Sequence, residues 1–153
     1  GASLPGQATL VVCVGLSNHD NIGSVFRNAA AFGAGAVLLD RTCCDPLYRK
    51  ALRVSVGAVI TVPHARFDSV EALPDILDAR GFRQFALSPG GATEIGHVAP
   101  GGRVALYVGA EGPGLPRSLM EKVETLRIPI SRDFDSLNAA AASAVALHRF
   151  AVL

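Results

Sequence analysis

The residues best suited to chemistry in this chain begin with Asn21-Ile22-Gly23 and, four positions after the glycine, Arg27. A guanidinium group offers a planar fork of N–H donors that matches phosphate, so Arg27 is a candidate for holding a phosphorylated ligand. We expect Asn21 to lie just before a helix and Arg27 to lie one turn into it. The structural alternative makes Asn21 an N-cap and Arg27 an ordinary surface cation.

A glycine-rich turn at residues 109–115 carries the second candidate, Glu111. Three glycines and a proline around one carboxylate require a specific backbone path, which lets the main chain approach a ligand closely. Such a path is more typical of a site than of an idle loop. The alternative is that Glu111 merely caps a helix beginning near Arg117.

Residues 128–150 contain the third candidate group, in which an apolar entry and a polar bend with Ser136 and Asn138 precede a run of alanines. Ser, Asp and Asn are preferred at helix N-termini, so the bend predicts a helix from Ala139 onward. Ala, Ser and Val dominate this helix until His148, so other backbone can approach it closely. An ordinary capped core helix is the alternative.

Buried strands are expected to position these segments. Residues 9–16 and 103–109 form short apolar runs, which are typical of strands covered on both faces of a parallel sheet. Further strands are predicted at 36–39, 58–62, 84–87 and 125–130, and helices at 22–32, 47–52, 70–79 (interrupted early by Pro74), 117–123 and from 139. This alternation predicts an α/β fold, a mostly parallel sheet covered by helices on both faces. Ligands bind beyond the carboxyl ends of such strands, where residues 17–23, 109–116 and 131–138 are expected.

Composition argues against several classes of protein. A net charge of only +1 argues against a broad surface that grips nucleic acid by charge alone. No apolar run approaches the length of a membrane span, so no membrane partner is expected. Gly33-Ala34-Gly35 follows a helix instead of a strand, the reverse of a dinucleotide fingerprint, and there is no P-loop. A small-molecule nucleotide-binding protein is therefore the least favoured alternative.

The three cysteines, Cys13, Cys43 and Cys44, lack zinc-ligand spacing, so we expect no metal site. Cys13 lies in an apolar run and is expected in the core of a protein in the reducing cytoplasm. Positive charge is concentrated in one short segment, and its members are the best candidates for a phosphate-binding patch: Arg41, Arg49, Lys50 and Arg53. A solvated face is the alternative for this segment.

Length predicts a single domain with a substantial core. Residues 1–8 are interpreted as a linker or an added start, without the features of a secretory signal, and residues 9–153 as the domain.

Taken together, in this order and spacing, the three motifs resemble the SpoU (TrmH-type) family of RNA ribose 2'-O-methyltransferases in the SPOUT superfamily. The first motif matches at Asn21-Ile22-Gly23, Arg27, Ala29, Phe32 and Gly33, the second at Gly109, Glu111, Gly112 and Gly114, and the third at Ile128-Pro129-Ile130 and Ser136-Leu137-Asn138. The resemblance extends from Thr9 to the C-terminus.

This resemblance implies a deep trefoil knot near the C-terminus, a rare exception to the absence of knots in proteins. It implies S-adenosylmethionine bound in the knot in a bent form, and a homodimer whose active site uses both subunits. The implied activity is methyl transfer to a ribose 2'-hydroxyl of tRNA or rRNA.

Residue roles are implied by the same resemblance. Arg27 would lie beside the ribose and its flanking phosphate, with Asn21, Glu111, Ser136 and Asn138 orienting it and the substrate. The implied cofactor-binding residues are Leu87, Gly109, Glu111, Gly114, Ile128, Ile130, Leu137 and Ala142. RNA would be held by Arg27 with Arg41, Arg49, Lys50 and Arg53.

Two other functions remain open. A SPOUT-fold RNA-binding module that no longer catalyses would be marked by loss of Arg27, Glu111 or Asn138, and all three are present. Base methylation is the other, and the pairing of Asn21 with Arg27 argues against it within the resemblance. Family members commonly carry an RNA-binding domain before the catalytic one, so we expect this chain to be one domain of a longer protein. The alanines at 139–142 are a mild departure that preserves small size.

Overall fold

The computed structural model describes residues 6–110, 114–131 and 137–151. Its strands are β1 (Ala8–Val14), β2 (Ala36–Asp40), β3 (His64–Phe67), β4 (Arg83–Leu87), β5 (Thr93–Glu94), β6 (Arg103–Gly109) and β7 (Glu124–Arg127). Its helices are α1 (His19–Ala31), α2 (Arg49–Ser55), α3 (Ala58–Thr61), α4 (Leu73–Ala79), α5 (Arg117–Met120) and α6 (Ala139–Phe150), with a short 3-10 helix at Ile95–His97.

The seven strands form one sheet in the order β3-β2-β1-β6-β4-β7-β5, and all its strand pairings within the described ranges are parallel. At its centre β1 pairs with β6 along its whole length, from Ala8 opposite Arg103 to Val14 opposite Gly109. Because helices cover both faces of these two central strands, both have continuous apolar sequences. The predicted parallel sheet is confirmed.

Helices cover both faces of the sheet, as predicted. Val11 and Cys13 of β1 belong to a core cluster that includes residues of α1, α2, α3 and α6. Val12 and Val14, which point the other way, belong to a second cluster with α4 and α5. Side chains alternate across a strand, so the two clusters lie on opposite faces and the domain has three layers.

The predicted strand at 58–62 is wrong, because most of this segment is α3. Its β-branched composition favours a strand, but its burial follows a helical spacing: Val59 and Val62 are buried while Ile60 between them is exposed. The actual strand, β3, comes directly afterwards and lies at the edge of the sheet, where β2 is its one partner among the described strands. Three of its four residues are exposed, so no apolar run marks it.

Helix α1 starts three residues earlier than predicted. Its N-cap is Asn18, whose side chain accepts a hydrogen bond from the Asn21 backbone N–H at 3.1 Å. Asn21 therefore lies inside the first turn, and both the predicted loop position and the N-cap alternative for Asn21 are wrong.

Helix α4 also corrects a predicted break. It begins at Leu73, and Pro74 lies in its first turn, where the missing N–H has no intrahelical partner to lose. Pro74 therefore starts the helix instead of interrupting it. Elsewhere α2, α5 and β7 differ from prediction by a few residues, and residues 88–102, where no helix or strand was predicted, contain β5 and the 3-10 helix.

Two loops implicated in the expected knot include residues 111–113 and 132–136, which lie outside the described residues. The knot therefore stays a prediction. Among the helices that the structure describes, none is long and apolar enough to cross a membrane.

Candidate functional site

A cavity of about 200 Å³ lies at the carboxyl edge of the sheet. Its walls come from the ends of β4, β6 and β7, the loops that follow them, and the start of α6. The lining residues are Leu87, Ser88, Pro89, Val108, Gly109, Ala110, Gly114, Leu115, Leu126, Ile128, Ile130, Leu137, Ala139 and Ala142. All except Ser88 are apolar or glycine, so most polar groups available to a ligand here belong to the backbone.

The cavity brings together seven of the eight residues that the resemblance assigned to cofactor binding: Leu87, Gly109, Gly114, Ile128, Ile130, Leu137 and Ala142. The eighth, Glu111, lies outside the described residues. Most of the lining residues that were not predicted from the sequence, such as Ser88, Pro89 and Ala110, lie at or just beyond the carboxyl ends of predicted strands. The strand ends were the signal that could have identified them.

Glycine shapes the wall of the cavity after β6. A Cβ at Gly109 would lie 2.8 Å from the carbonyl carbon of Gly114 and 2.9 Å from the nitrogen of Leu115, closer than real contacts allow. The Gly114 N–H donates to the Ala110 carbonyl at 2.9 Å, and Gly114 adopts a left-handed φ of 64°. Gly109 and Gly114 of the second motif thus allow close backbone packing beside the cavity.

Another glycine holds the loop after β4 against β7. A Cβ at Gly91 would lie 2.6 Å from the nitrogen of Arg127, and the Ser88 N–H donates to the Leu126 carbonyl at 2.9 Å. Arg127 adds a hydrogen bond from Nη1 to the Gly91 carbonyl at 2.9 Å. Two cavity walls are therefore joined through backbone contacts.

Asn138 is the N-cap of α6, as the sequence predicted for this bend. Its Oδ1 accepts a hydrogen bond from the Ala141 N–H at 2.8 Å. This fixes the first turn of α6, from which Ala139 and Ala142 face the cavity. Ser136, its predicted companion, lies outside the described residues.

The helix carrying Arg27 packs directly on this part of α6. Asn28 Nδ2 donates to the Ala140 carbonyl at 2.9 Å and to Ser143 Oγ at 3.1 Å. The Arg27 turn of α1 is therefore held beside the helix that forms one wall of the cavity. The role of Asn28 could not be predicted from the sequence, because Asn28 and Ala140 are 112 positions apart and their contact leaves no local sequence pattern.

Arg27 itself is exposed, and it makes no hydrogen bond or ion pair with any residue that the structure describes. Its guanidinium group is thus available to a phosphate. Asn21 lies two turns earlier on the same helix and is half-buried. The structure places both on α1, without bringing their side chains into a hydrogen bond.

The basic segment is held against α1 through Gly23. A Cβ at Gly23 would lie 2.7 Å from the carbonyl oxygen of Ala51 and 2.8 Å from the Cβ of Val54, so α1 and α2 approach to backbone contact. The glycine of the first motif therefore has a packing role. The four predicted basic residues, Arg41, Arg49, Lys50 and Arg53, are all exposed, and three of them lie on α2.

A buried carboxylate organises the loops at this end of the sheet. Asp40 accepts hydrogen bonds from the Gly15 N–H at 2.9 Å, from Thr42 Oγ1 at 3.0 Å and from Cys43 Sγ at 3.2 Å. Burial, with the adjacent Asp40, raises the pKa of the Cys43 thiol to about 12, so this thiol is protonated at neutral pH. Cys13 is fully buried, as predicted.

Across the described ranges, no group of three or more His, Cys, Asp or Glu side chains is arranged to hold a metal ion.

Comparison with known proteins gives a consistent family. The model of the SpoU rRNA Methylase family matches residues 8–148. An uncharacterised tRNA/rRNA methyltransferase of Mycobacterium tuberculosis is 42% identical over 148 residues, which cover 94% of this chain and 51% of that protein. The chain thus spans about half the length of this relative.

Two solved structures have the same architecture. An AdoMet-bound rRNA methyltransferase from Sinorhizobium meliloti aligns with a TM-score of 0.86 at 28% identity, covering 93% of this chain and 55% of that one. A protein whose structure concerns 2-OH methylation of C/U34 on tRNA aligns with a TM-score of 0.81 at 29% identity, covering 94% of both chains.

Proposed function

Because this chain belongs to the SpoU family of the SPOUT superfamily, we propose that it is an RNA methyltransferase that uses S-adenosylmethionine to methylate a ribose 2'-hydroxyl. The observation that carries the proposal is the cavity at the carboxyl edge of the sheet. Seven residues nominated from separate parts of the sequence line it, and the helix bearing Arg27 packs on its α6 wall.

The residues lining the cavity fit an adenosyl group. Leu87, Leu126 and Ile128 provide apolar surface for a planar base, and backbone groups near Gly109 and Leu137 can hydrogen-bond its edges. The close backbone approach at Gly109 leaves room for no side chain there. These residues would hold the cofactor, which supplies an electrophilic methyl sulfonium when bound.

The tasks left to this chain are alignment and help with proton removal, because a 2'-hydroxyl is a weak nucleophile. An arginine is very hard to deprotonate, so we assign Arg27 to clamping the flanking phosphate and stabilising the developing alkoxide. Literal base catalysis by Arg27 is the alternative mechanism. Asn21, Glu111, Ser136 and Asn138 would orient Arg27 and the substrate.

The substrate class we propose is tRNA or rRNA, acted on in the cytoplasm. Arg41, Arg49, Lys50 and Arg53 would contact phosphates beside the reacting nucleotide. We further propose that two copies of the chain form the active site together, and that the whole protein includes a further RNA-binding segment. The relative of twice the length supports the last point.

The test combines cofactor binding with methyl transfer. Calorimetry measures the affinity for S-adenosylmethionine and its demethylated product, and transfer of a tritiated methyl group to total RNA measures activity. We expect Arg27→Ala to keep cofactor affinity within about twofold and to lose at least about a hundredfold in transfer, the lower end of the range for removal of one electrostatic donor. Arg27→Lys is the matched control, which keeps the charge and loses the fork.

Each possible failure has a distinct meaning. If neither cofactor form binds, the methyltransferase proposal is wrong. Binding without transfer to any RNA would favour the non-catalytic RNA-binding module. Transfer that maps to bases instead of alkali-resistant ribose sites would favour base methylation, and full activity in Arg27→Ala would remove Arg27 from the mechanism.

A further inference from the structure

A surface aromatic pair, the exposed Tyr48 and the half-buried His19, lies at the basic segment. Tyr48, the residue before α2, is 58% exposed, and its ring centroid lies 4.5 Å from that of His19, the first residue of α1, with the planes tilted by 37°. His19 thus covers one side of the Tyr48 ring. The core does not explain the pair, since neither residue belongs to a core cluster.

The loops that carry these two rings are fixed to each other. The Cys44 N–H donates to the Leu16 carbonyl at 2.9 Å, and Asp40 ties Gly15 to the same region. Within the second loop, the N–H of Tyr48 donates to the Asp45 carbonyl at 3.2 Å. The stack is therefore pre-organised, and a ligand would lose little entropy in ordering it.

The surroundings of the pair favour a polyanion. Residues 41–53 contain four cations and a single acid, Asp45. Arg41, Arg49 and Arg53 are exposed and form no ion pair or hydrogen bond with any residue in the described ranges, while Lys50 pairs with Asp20 at 3.5 Å. The phosphates of a nucleic acid strand can bind these arginines while one of its bases contacts the Tyr48 ring.

We propose that Tyr48, backed by His19, is a stacking platform for an unpaired nucleobase of the RNA substrate. This inference rests on the proposed function, which makes RNA the substrate of this chain. Aromatic side chains beside cations are the usual means of binding splayed bases, and stacking tolerates any base identity. The platform therefore selects single-stranded or looped RNA and not a particular sequence.

The platform takes a different nucleotide from the one that is methylated. His19 and Arg27 are eight residues apart on α1, which is roughly 12 Å along the helix axis. Within one subunit, a base on Tyr48 and a ribose beside Arg27 thus belong to separate nucleotides. Stacking would fix the register of the strand, so that a neighbouring ribose reaches the site.

The test uses fluorescence anisotropy with labelled ten-nucleotide oligoadenylate, and the same oligomer with all bases removed. Tyr48→Ala is expected to weaken oligoadenylate binding by about five- to a hundredfold, the range for loss of one base stack. Binding of the abasic oligomer should stay unchanged. Tyr48→Phe should retain affinity, and Leu47→Ala is the matched control, because Leu47 is 55% exposed and adjacent.

His19→Ala should give a smaller loss than Tyr48→Ala and add little to it in the double variant, since it acts by supporting the ring. Salt dependence should be equal in Tyr48→Ala and the parent chain, because no cation is removed. If Tyr48→Ala binds oligoadenylate as tightly as the parent chain does, the platform proposal is wrong, and a protein contact becomes the alternative role of the Tyr48 ring. An equal loss on the abasic oligomer would also overturn the platform proposal. Both outcomes are independent of cofactor binding and methyl transfer, which test the proposed function separately.

Discussion

Arg27 and Asn28 are neighbours on α1 with opposite surroundings. Arg27 points to solvent without a partner among the described residues, whereas Asn28 uses both amide hydrogens to bind α6. One residue is left free for a ligand, and the next fixes the helix that presents it. Asn28 thus fixes the position of the helix that presents Arg27, and the Arg27 guanidinium group remains available to a ligand.

Replacing Asn28 with alanine should loosen the contact between α1 and α6. The two lost hydrogen bonds predict a fall in the free energy of unfolding of about 1–3 kcal/mol, measured by urea denaturation. Asn28→Asp has the same shape but turns an acceptor toward the Ala140 carbonyl, so its fall should be at least as large. Cofactor affinity should also drop several-fold, because Ala139 and Ala142 would shift.

Asn18→Ala is the control for this prediction. It removes the cap of the same helix, at a cost of about 1 kcal/mol, without touching α6. Cofactor affinity should therefore remain unchanged in Asn18→Ala. A loss of stability below about 0.5 kcal/mol in Asn28→Ala would show that the inter-helix hydrogen bonds do not position α1.

At the scale of elements, the close packing of α1 on α2 decides where positive charge is displayed. The contact depends on Gly23, whose missing side chain admits the backbone of α2. Arg49 and Arg53 are thereby fixed beside the helix of Arg27 instead of on an independent loop. A motif glycine that sequence reasoning treated as part of a site signature is in fact a helix-packing residue.

Gly23→Ala should destabilise the protein although alanine is the better helix former. The helix propensity gain is about 1 kcal/mol, but a Cβ 2.7 Å from the Ala51 carbonyl oxygen forces α2 away, at a cost of about 1–3 kcal/mol in overpacking. RNA affinity should fall, whereas cofactor affinity should hold. Gly96→Ala, which has open space around its Cβ, is the control in thermal and RNA-binding measurements. A stabilised Gly23→Ala protein would contradict this packing role.

Prediction from sequence succeeded where an element is defined by its own residues. The central strands β1 and β6 are recognisable because burial on both faces requires continuous apolar runs. It failed for the edge strand β3, whose exposed residues carry no such pattern, and for α3, where β-branched residues outweighed the spacing of Val59 and Val62. The α1–α6 and His19–Tyr48 contacts join distant segments, so no single-sequence pattern could reveal them.

The candidate site divides in the same way. Seven cofactor residues could be predicted from the family resemblance, five of them within its motifs, and in the structure all seven line one cavity. Their roles remain predictions. Ser88 and Ala110 lie directly beyond predicted strand ends, which makes them candidates, but only the folded sheet shows that they face the cavity.

At the scale of the whole molecule, charge is nearly balanced but unevenly placed. The net charge is +1, while four cations lie close together at residues 41–53. RNA binding by this chain should therefore depend on one surface and remain weak at physiological salt.

The logarithm of RNA affinity should fall with the logarithm of salt concentration with a slope of about −3.5, from about five phosphate contacts (Arg27 and the four cations at residues 41–53) at 0.7 each for single strands. Anisotropy titrations between low and physiological salt measure this slope. Arg53→Ala should make it shallower by slightly less than one, and Arg80→Ala, an exposed cation before β4, should leave it unchanged. A parent slope steeper than about −5 would show that phosphates also bind elsewhere on the protein.

The pairing of β1 with β6 has a consequence for how the protein is made. Strand β1 finds its central partner only after about ninety further residues have been synthesised, as the register of Ala8 opposite Arg103 requires. Parallel pairing leaves no hairpin to nucleate the sheet, so folding should be slow relative to helical proteins of this length. Until β6 has been synthesised, the edge of β1 that pairs with β6 stays uncovered. Assembly of the cavity, which needs β6, β7 and α6 together, is then among the last steps in the folding of this domain.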